Sequence, residues 1–195
     1  MDVLRTSLLK TYSSIEIHRL KWNEILQGFE SSLKVMSGLS DQLECVLKTE
    51  PCELSRKFPD LNGRLEQIIR ALMEEEMITM VLLLEELNQE NQRIKNICEV
   101  TYKLYVEDFD TIQADTTFYE GTSLYPPVSL MIEWMDEINM CYANRLINAK
   151  HLLEIFNYSS QSVTNLQNML DPKAKTNFST VDAIMAKMSI FLLEK

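Results

Sequence analysis

Two histidines and four cysteines are the side chains of this 195-residue sequence best suited to metal or nucleophilic chemistry, and their spacing denies them most of it. Cys45, Cys52, Cys98 and Cys141 show neither the C-x-x-C pairs of a zinc site nor the density of a secreted disulfide scaffold, so free thiols are expected. A carboxylate-bridged di-iron bundle needs Glu three residues before His. Ile15 and Asn148 hold those places ahead of His18 and His151, and the metal reading fails. A Cys-His nucleophile pair stays open at this level, because only folding brings such residues together; both histidines lie in helical stretches, where a structural role is the expectation. The two closest glycines, Gly28 and Gly38, are ten residues apart, so neither a phosphate-cradling loop nor a dinucleotide fingerprint can be built. No catalysis, cofactor or metal is expected.

Charge points the same way. The chain carries 19 basic and 29 acidic residues, a net charge of −10, and most of the excess lies between residues 61 and 126. Nucleic acid is bound by clustered Lys and Arg, and no segment offers such a cluster, so direct affinity for DNA or RNA is not expected. Glu74–Glu76, Glu85 and Glu86 could meet a basic partner, although a solvated helix face is the simpler reading. Eleven methionines suit either an adaptable binding groove or a helical core, and most fall on or beside apolar stripes, which favours the core. Met1 to Lys10 lacks the apolar run of a signal peptide, and the most apolar stretch, Met77 to Leu84, is too short to cross a bilayer. Nucleus and cytoplasm are the expected compartments, where the sequons Asn157-Tyr158-Ser159 and Asn177-Phe178-Ser179 carry no meaning.

The elements holding these residues must be few and long. Four Gly and five Pro make 9 turn formers in 195 residues, less than half of the roughly 12% typical of globular chains. Sandwiches, barrels and doubly wound sheets need a turn every ten residues or so, which leaves an all-α fold. Three-four spacing through Leu8, Tyr12, Ile15, Arg19, Trp22, Leu26, Phe29, Leu33, Met36, Ser40, Leu43 and Leu47 predicts one helix over 3–49, with a bend or break near Gly38. Pro51 closes it. A second helix over 61–107 is roughly 70 Å long at 1.5 Å per residue. Its stripe begins Leu61, Leu65, Ile68, Leu72, slips near Glu74–Glu76, and resumes as Met80, Leu83, Leu87, Glu90, Ile94, Ile97, Thr101, Leu104. Residues 108–126 form an acidic loop whose Phe109, Phe118, Tyr119 and Tyr125 make it either a docking segment or a plain linker. A third helix over 127–157 starts at Pro126-Pro127 and repeats Val128, Met131, Met135, Ile138, Tyr142, Arg145, Ala149, Leu152, Phe156. Short helices over 162–170, stopped by Pro172, and over 179–193, capped by Ser179, complete a single domain over 1–195. The architecture is an elongated, coiled-coil-like bundle of three long helices with one or two short C-terminal ones.

Three stretches, taken in order, resemble one family. They are Phe58-Pro59-Asp60-Leu61 with Arg64-Leu65; Met131-Ile132-Glu133-Trp134-Met135-Asp136-Glu137-Ile138 with Tyr142 and Leu152-Leu153; and Phe191-Leu192-Leu193-Glu194. At about this length they are similar to the AFG-interacting ribosome maturation factor family of small helical adaptors. The resemblance implies a non-catalytic subunit that works with a pair of AAA+ ATPases and a second helical subunit similar to the cyclin-dependent-kinase-interacting protein family. It also implies action on late pre-60S ribosomal particles, where shuttling factors are released and recycled, and a link to replisome turnover. Partner-facing residues are expected among Trp134, Met131, Ile138 and Tyr142 on the third helix and Phe58 and Leu61 at the start of the second. Phe58 is expected in the core, and Trp134 stands open between core and interface. The competing class is a structural coiled-coil subunit of a tethering, kinetochore or microtubule-associated assembly, which would show the same stripes and acidity.

Overall fold

The computed structural model describes residues 2–48, 57–115, 119–122, 126–170 and 179–193. Cys52, Phe118, Tyr125, Pro172, the Asn177 sequon and Glu194 lie outside them. Among the described residues there are six α-helices and no strand: α1 (Asp2–Lys48), α2 (Leu61–Glu107), α3 (Phe109–Ala114), α4 (Val128–Glu154), α5 (Ser160–Leu170) and α6 (Ser179–Leu192). The fold is all-α. Contacts divide it into two compact units, one of Met1–Asn23, Leu87–Ile147 and Lys175–Lys195, the other of Glu24–Glu86 and Asn148–Ala174. The three long helices contribute residues to both.

α1 buries its stripe as the spacing requires, from Leu4 through Leu8, Tyr12, Ile15, Trp22, Leu26, Phe29, Leu33, Met36 and Leu43. Leu47, expected to continue it, is exposed. The helix runs unbroken through both glycines, and no break occurs at Gly38. Gly28 sits at a close approach: a Cβ there would meet Leu83 Cδ2 at 3.1 Å, so a larger residue requires the Leu83 side chain to give by a few tenths of an ångström.

α2 departs from expectation in its first third. Leu65, Ile68 and Leu72 are exposed, and the buried residues are their neighbours Ile69 and Met73. The interior stripe is then continuous: Ile69, Met73, Met80, Leu87, Glu90, Ile94, Cys98, Thr101, with half-buried Glu76 and Leu83 filling the steps. No register slip occurs at Glu74–Glu76.

In the first unit several polar members of the stripes pair across helices. Thr101 shares hydrogen bonds with Thr11 at 2.7 Å and Ser7 at 2.9 Å. Glu90 is buried and meets His18, Arg93 and, at 3.9 Å, Lys21. α3 was not expected; its six residues are too few to show a period, and it is held by buried Ile112, whose N–H donates to the Asp108 carbonyl at 2.9 Å. α6 buries Val181, Ile184, Met185, Met188 and Phe191 in this unit. In the second unit α4 ends at Glu154, three residues short of expectation, and Tyr158 adopts a left-handed φ of 59° that turns the chain into α5. Ser159 caps that helix, accepting the Ser162 N–H at 3.2 Å, so α5 starts two residues early.

Candidate partner-binding surface

The residues expected to face a partner divide sharply by exposure. Met131, Ile138 and Tyr142 lie on the interior stripe of α4 with no accessible surface. The Met131 carbonyl accepts the Tyr12 hydroxyl at 2.6 Å, and the Tyr142 ring packs on Trp22 with centroids 4.8 Å apart. Burial raises the phenol pKa of both tyrosines above its ordinary value, so both stay neutral. These three side chains are part of the first unit's core, and as placed they present nothing to an outside molecule.

Trp134 is half-buried beside that core, with Lys187 Nζ of α6 5.0 Å from the ring centroid. Phe58 is 59% exposed, a correction to its expected place in the core. The physical reason is the turn into α2: the Phe58 carbonyl accepts the Leu61 N–H at 3.0 Å, which places this residue outside the first helical turn rather than under it. Leu61 is half-buried. Of the loop aromatics, Phe109 is exposed and stacks edge-on with Tyr105 at 5.9 Å, and Tyr119 is exposed.

His18 engages Glu90, and His151 is exposed. Cys98 lines a 540 Å³ groove between α2 and α4 together with Asp136 and Glu99. Burial first, then those two carboxylates, push its thiol up to about 12, so it stays protonated and unreactive at neutral pH. Among the described residues no group of three or more His, Cys, Asp or Glu could hold a metal ion, and no helix is long and apolar enough to cross a membrane.

The feature missed in the sequence is that the first third of α2 carries two stripes: the one read there, Leu65, Ile68 and Leu72, faces outward, and the covered one is Ile69 and Met73. Ile68 is 58% exposed, Leu72 42% and Leu82 62%, while Ile69 and Met73, one position on, are 6% and 0%. Leu65, Ile78 and Val81 are exposed beside them. The signal was present, since Ile69, Met73, Glu76 and Met80 already keep three-four spacing without a slip.

These features define an α-helical protein with a packed interior, a surface helix face of branched aliphatics, and no catalytic constellation among the described residues. The chain belongs to the family of C1orf109-like ribosome biogenesis proteins, whose family model matches residues 2–190. It is similar to the human AFG2-interacting ribosome maturation factor, 23% identical over 98% of this chain and 96% of the relative. The mouse protein of the same name is 23% identical over 98% and 90%, and the one from Xenopus tropicalis 24% identical over 78% and 74%.

Proposed function

We propose that this chain is an adaptor in ribosome biogenesis that binds an AAA ATPase of the AFG2 type and performs no catalysis itself. The observation that carries the reading is the near full-length match to factors named for that interaction. In the finer reading, the chain pairs with a second helical subunit similar to the cyclin-dependent-kinase-interacting protein family. It acts with a pair of AAA+ ATPases on late pre-60S particles, in nucleus and cytoplasm, releasing and recycling shuttling factors, and also in replisome turnover. A helical chain whose interior stripes are filled and whose outer surface carries a further stripe is suited to positioning an enzyme made elsewhere. The test is affinity purification of the tagged full chain from its native cells. Stoichiometric recovery of an AAA ATPase supports the adaptor, whereas recovery with coiled-coil subunits of a tether, kinetochore or microtubule assembly and no ATPase overturns it.

A further inference from the structure

The outward face of α2 in the second unit is built as half of a coiled coil. Leu61, Leu65, Ile68, Leu72, Glu75, Thr79 and Leu82 follow one another at alternating steps of four and three, the spacing of a two-helix seam. Leu65, Ile68, Leu72 and Leu82 on that line are exposed, as are Ile78 and Val81 at its side. Scattered surface aliphatics are ordinary. A row of them at seam spacing over five turns of one helix is not, and such rows mark contact surfaces.

Charge selects the occupant. Between residues 65 and 86, α2 carries Glu66, Glu74, Glu75, Glu76, Glu85 and Glu86 against one cation, Arg70, which is paired with Glu66 at 2.9 Å. Glu74, Glu75, Glu85 and Glu86 are exposed around the aliphatic row. A parallel second copy of this chain would bring all of these carboxylates against themselves, an antiparallel one would still set Glu74–Glu76 beside Glu74–Glu76, and like charges along a seam oppose pairing. A helix with Lys or Arg beside its own aliphatic stripe would match both the row and its rim.

We infer that α2 between Leu65 and Leu82 is the docking seam for a basic-flanked amphipathic helix of a different protein. The inference deepens the adaptor reading, on which it rests for the supposition of an outside partner, by naming the surface and the chemistry of what covers it. Thr79 and Glu75 in the middle of the row set register, as polar residues at seam positions do.

The test uses the full chain and two synthetic peptides of about three heptads, both with Leu and Ile at the seam positions, one flanked by Lys and one by Glu. Binding is read by fluorescence anisotropy of the labelled peptide. The wild-type chain should bind the Lys-flanked peptide at least about tenfold more tightly than the Glu-flanked one. Ile68→Gln/Leu72→Gln/Leu82→Gln should lose about tenfold or more while keeping its circular dichroism and melting point. Glu74→Lys/Glu75→Lys/Glu85→Lys/Glu86→Lys should reverse the peptide preference. Equal binding of both peptides, or binding indifferent to the triple variant, overturns the inference. So does a wild-type homodimer in sedimentation equilibrium that the triple variant abolishes, which would assign the seam to a second copy. Recovery of the ATPase by the wild-type chain is scored separately, so a failed seam with an intact ATPase complex leaves the adaptor reading standing, and the converse leaves the seam standing.

Discussion

The Tyr12 hydroxyl donates to the Met131 carbonyl at 2.6 Å, joining α1 to the first turns of α4 across 119 residues of sequence. Both residues are fully buried, and the carbonyl's second lone pair lets it take this donor without giving up its helical partner. Tyr12→Phe should cost about 1 kcal/mol near neutral pH, the net worth of one buried hydrogen bond. It should also change the alkaline limb. The folded phenol's pKa is raised by burial first and by Cys98 next, from an ordinary value of 10.0. A raised pKa means the native state holds the proton more tightly, so this contribution is intact below pH 10 and is lost as pH climbs above it, at up to about 1.4 kcal/mol per pH unit. Urea melts from pH 8 to 11 should show a shallower alkaline loss for Tyr12→Phe than for wild type.

Glu90 is the buried carboxylate on the interior stripe of α2, and its nearest cross-helix partner, His18, is nearly as enclosed. Removing the acid alone strips the buried imidazole of its partner, and Glu90→Leu should cost about 3 kcal/mol. The pair replaced together by apolar residues leaves only Arg93 and Lys21 without the carboxylate, and both are half exposed and hydrated, so His18→Leu/Glu90→Leu should recover most of that loss. A double-mutant cycle in urea measures the coupling, and additive costs would show that Arg93 and Lys21, both half exposed, hold Glu90 instead.

How far the fold could be read in advance depended on whether one stripe or two ran along a helix. α1 has a single apolar line, and even its polar exception Ser40 is buried, donating to the Tyr158 carbonyl at 3.1 Å. The first third of α2 has two, Leu65–Ile68–Leu72 and Ile69–Met73, set about one residue apart. Periodicity registers both equally, and which one the chain itself covers depends on where α1 packs. The site was legible to the same degree. Met131, Ile138 and Tyr142 stand on the cleanest stripe in the sequence, and a clean stripe in a chain that folds on itself is first of all core. Phe58 has no period at all, and only the turn geometry places it outside. α3, at six residues, lies below what any period can reveal.

Trp134 sits beside the α4 core with Lys187 of α6 over its ring, so its contribution is divided between packing and a cation–π contact. Lys187→Ala should cost about 0.5–1 kcal/mol, the worth of a partly exposed cation–π pair. Trp134→Ala should cost more, because half-buried indole surface is lost as well, yet helicity should be retained. For a chain of this size about 1 kcal/mol corresponds to some 2–4 °C in melting temperature. Thermal melts of both variants give the difference. A Trp134→Ala protein that loses its helical dichroism would place the indole deeper in the core than its half-burial implies.

The sharpest test of the α2 register compares neighbours. Ile69 and Met73 point inward and Ile68 and Leu72 outward, so two pairs of adjacent residues of similar size should respond oppositely to truncation. Ile69→Ala and Met73→Ala open cavities beneath the helix and should each cost about 2–5 kcal/mol. Ile68→Ala and Leu72→Ala remove atoms about half in water and open no enclosed cavity, and alanine is the better helix former, so each should cost no more than about 1 kcal/mol. Four single variants, melted side by side by circular dichroism, decide the register. Comparable losses at Ile68 and Ile69 would mean that the outer stripe is covered in the isolated chain, and the seam would have no vacancy for a partner.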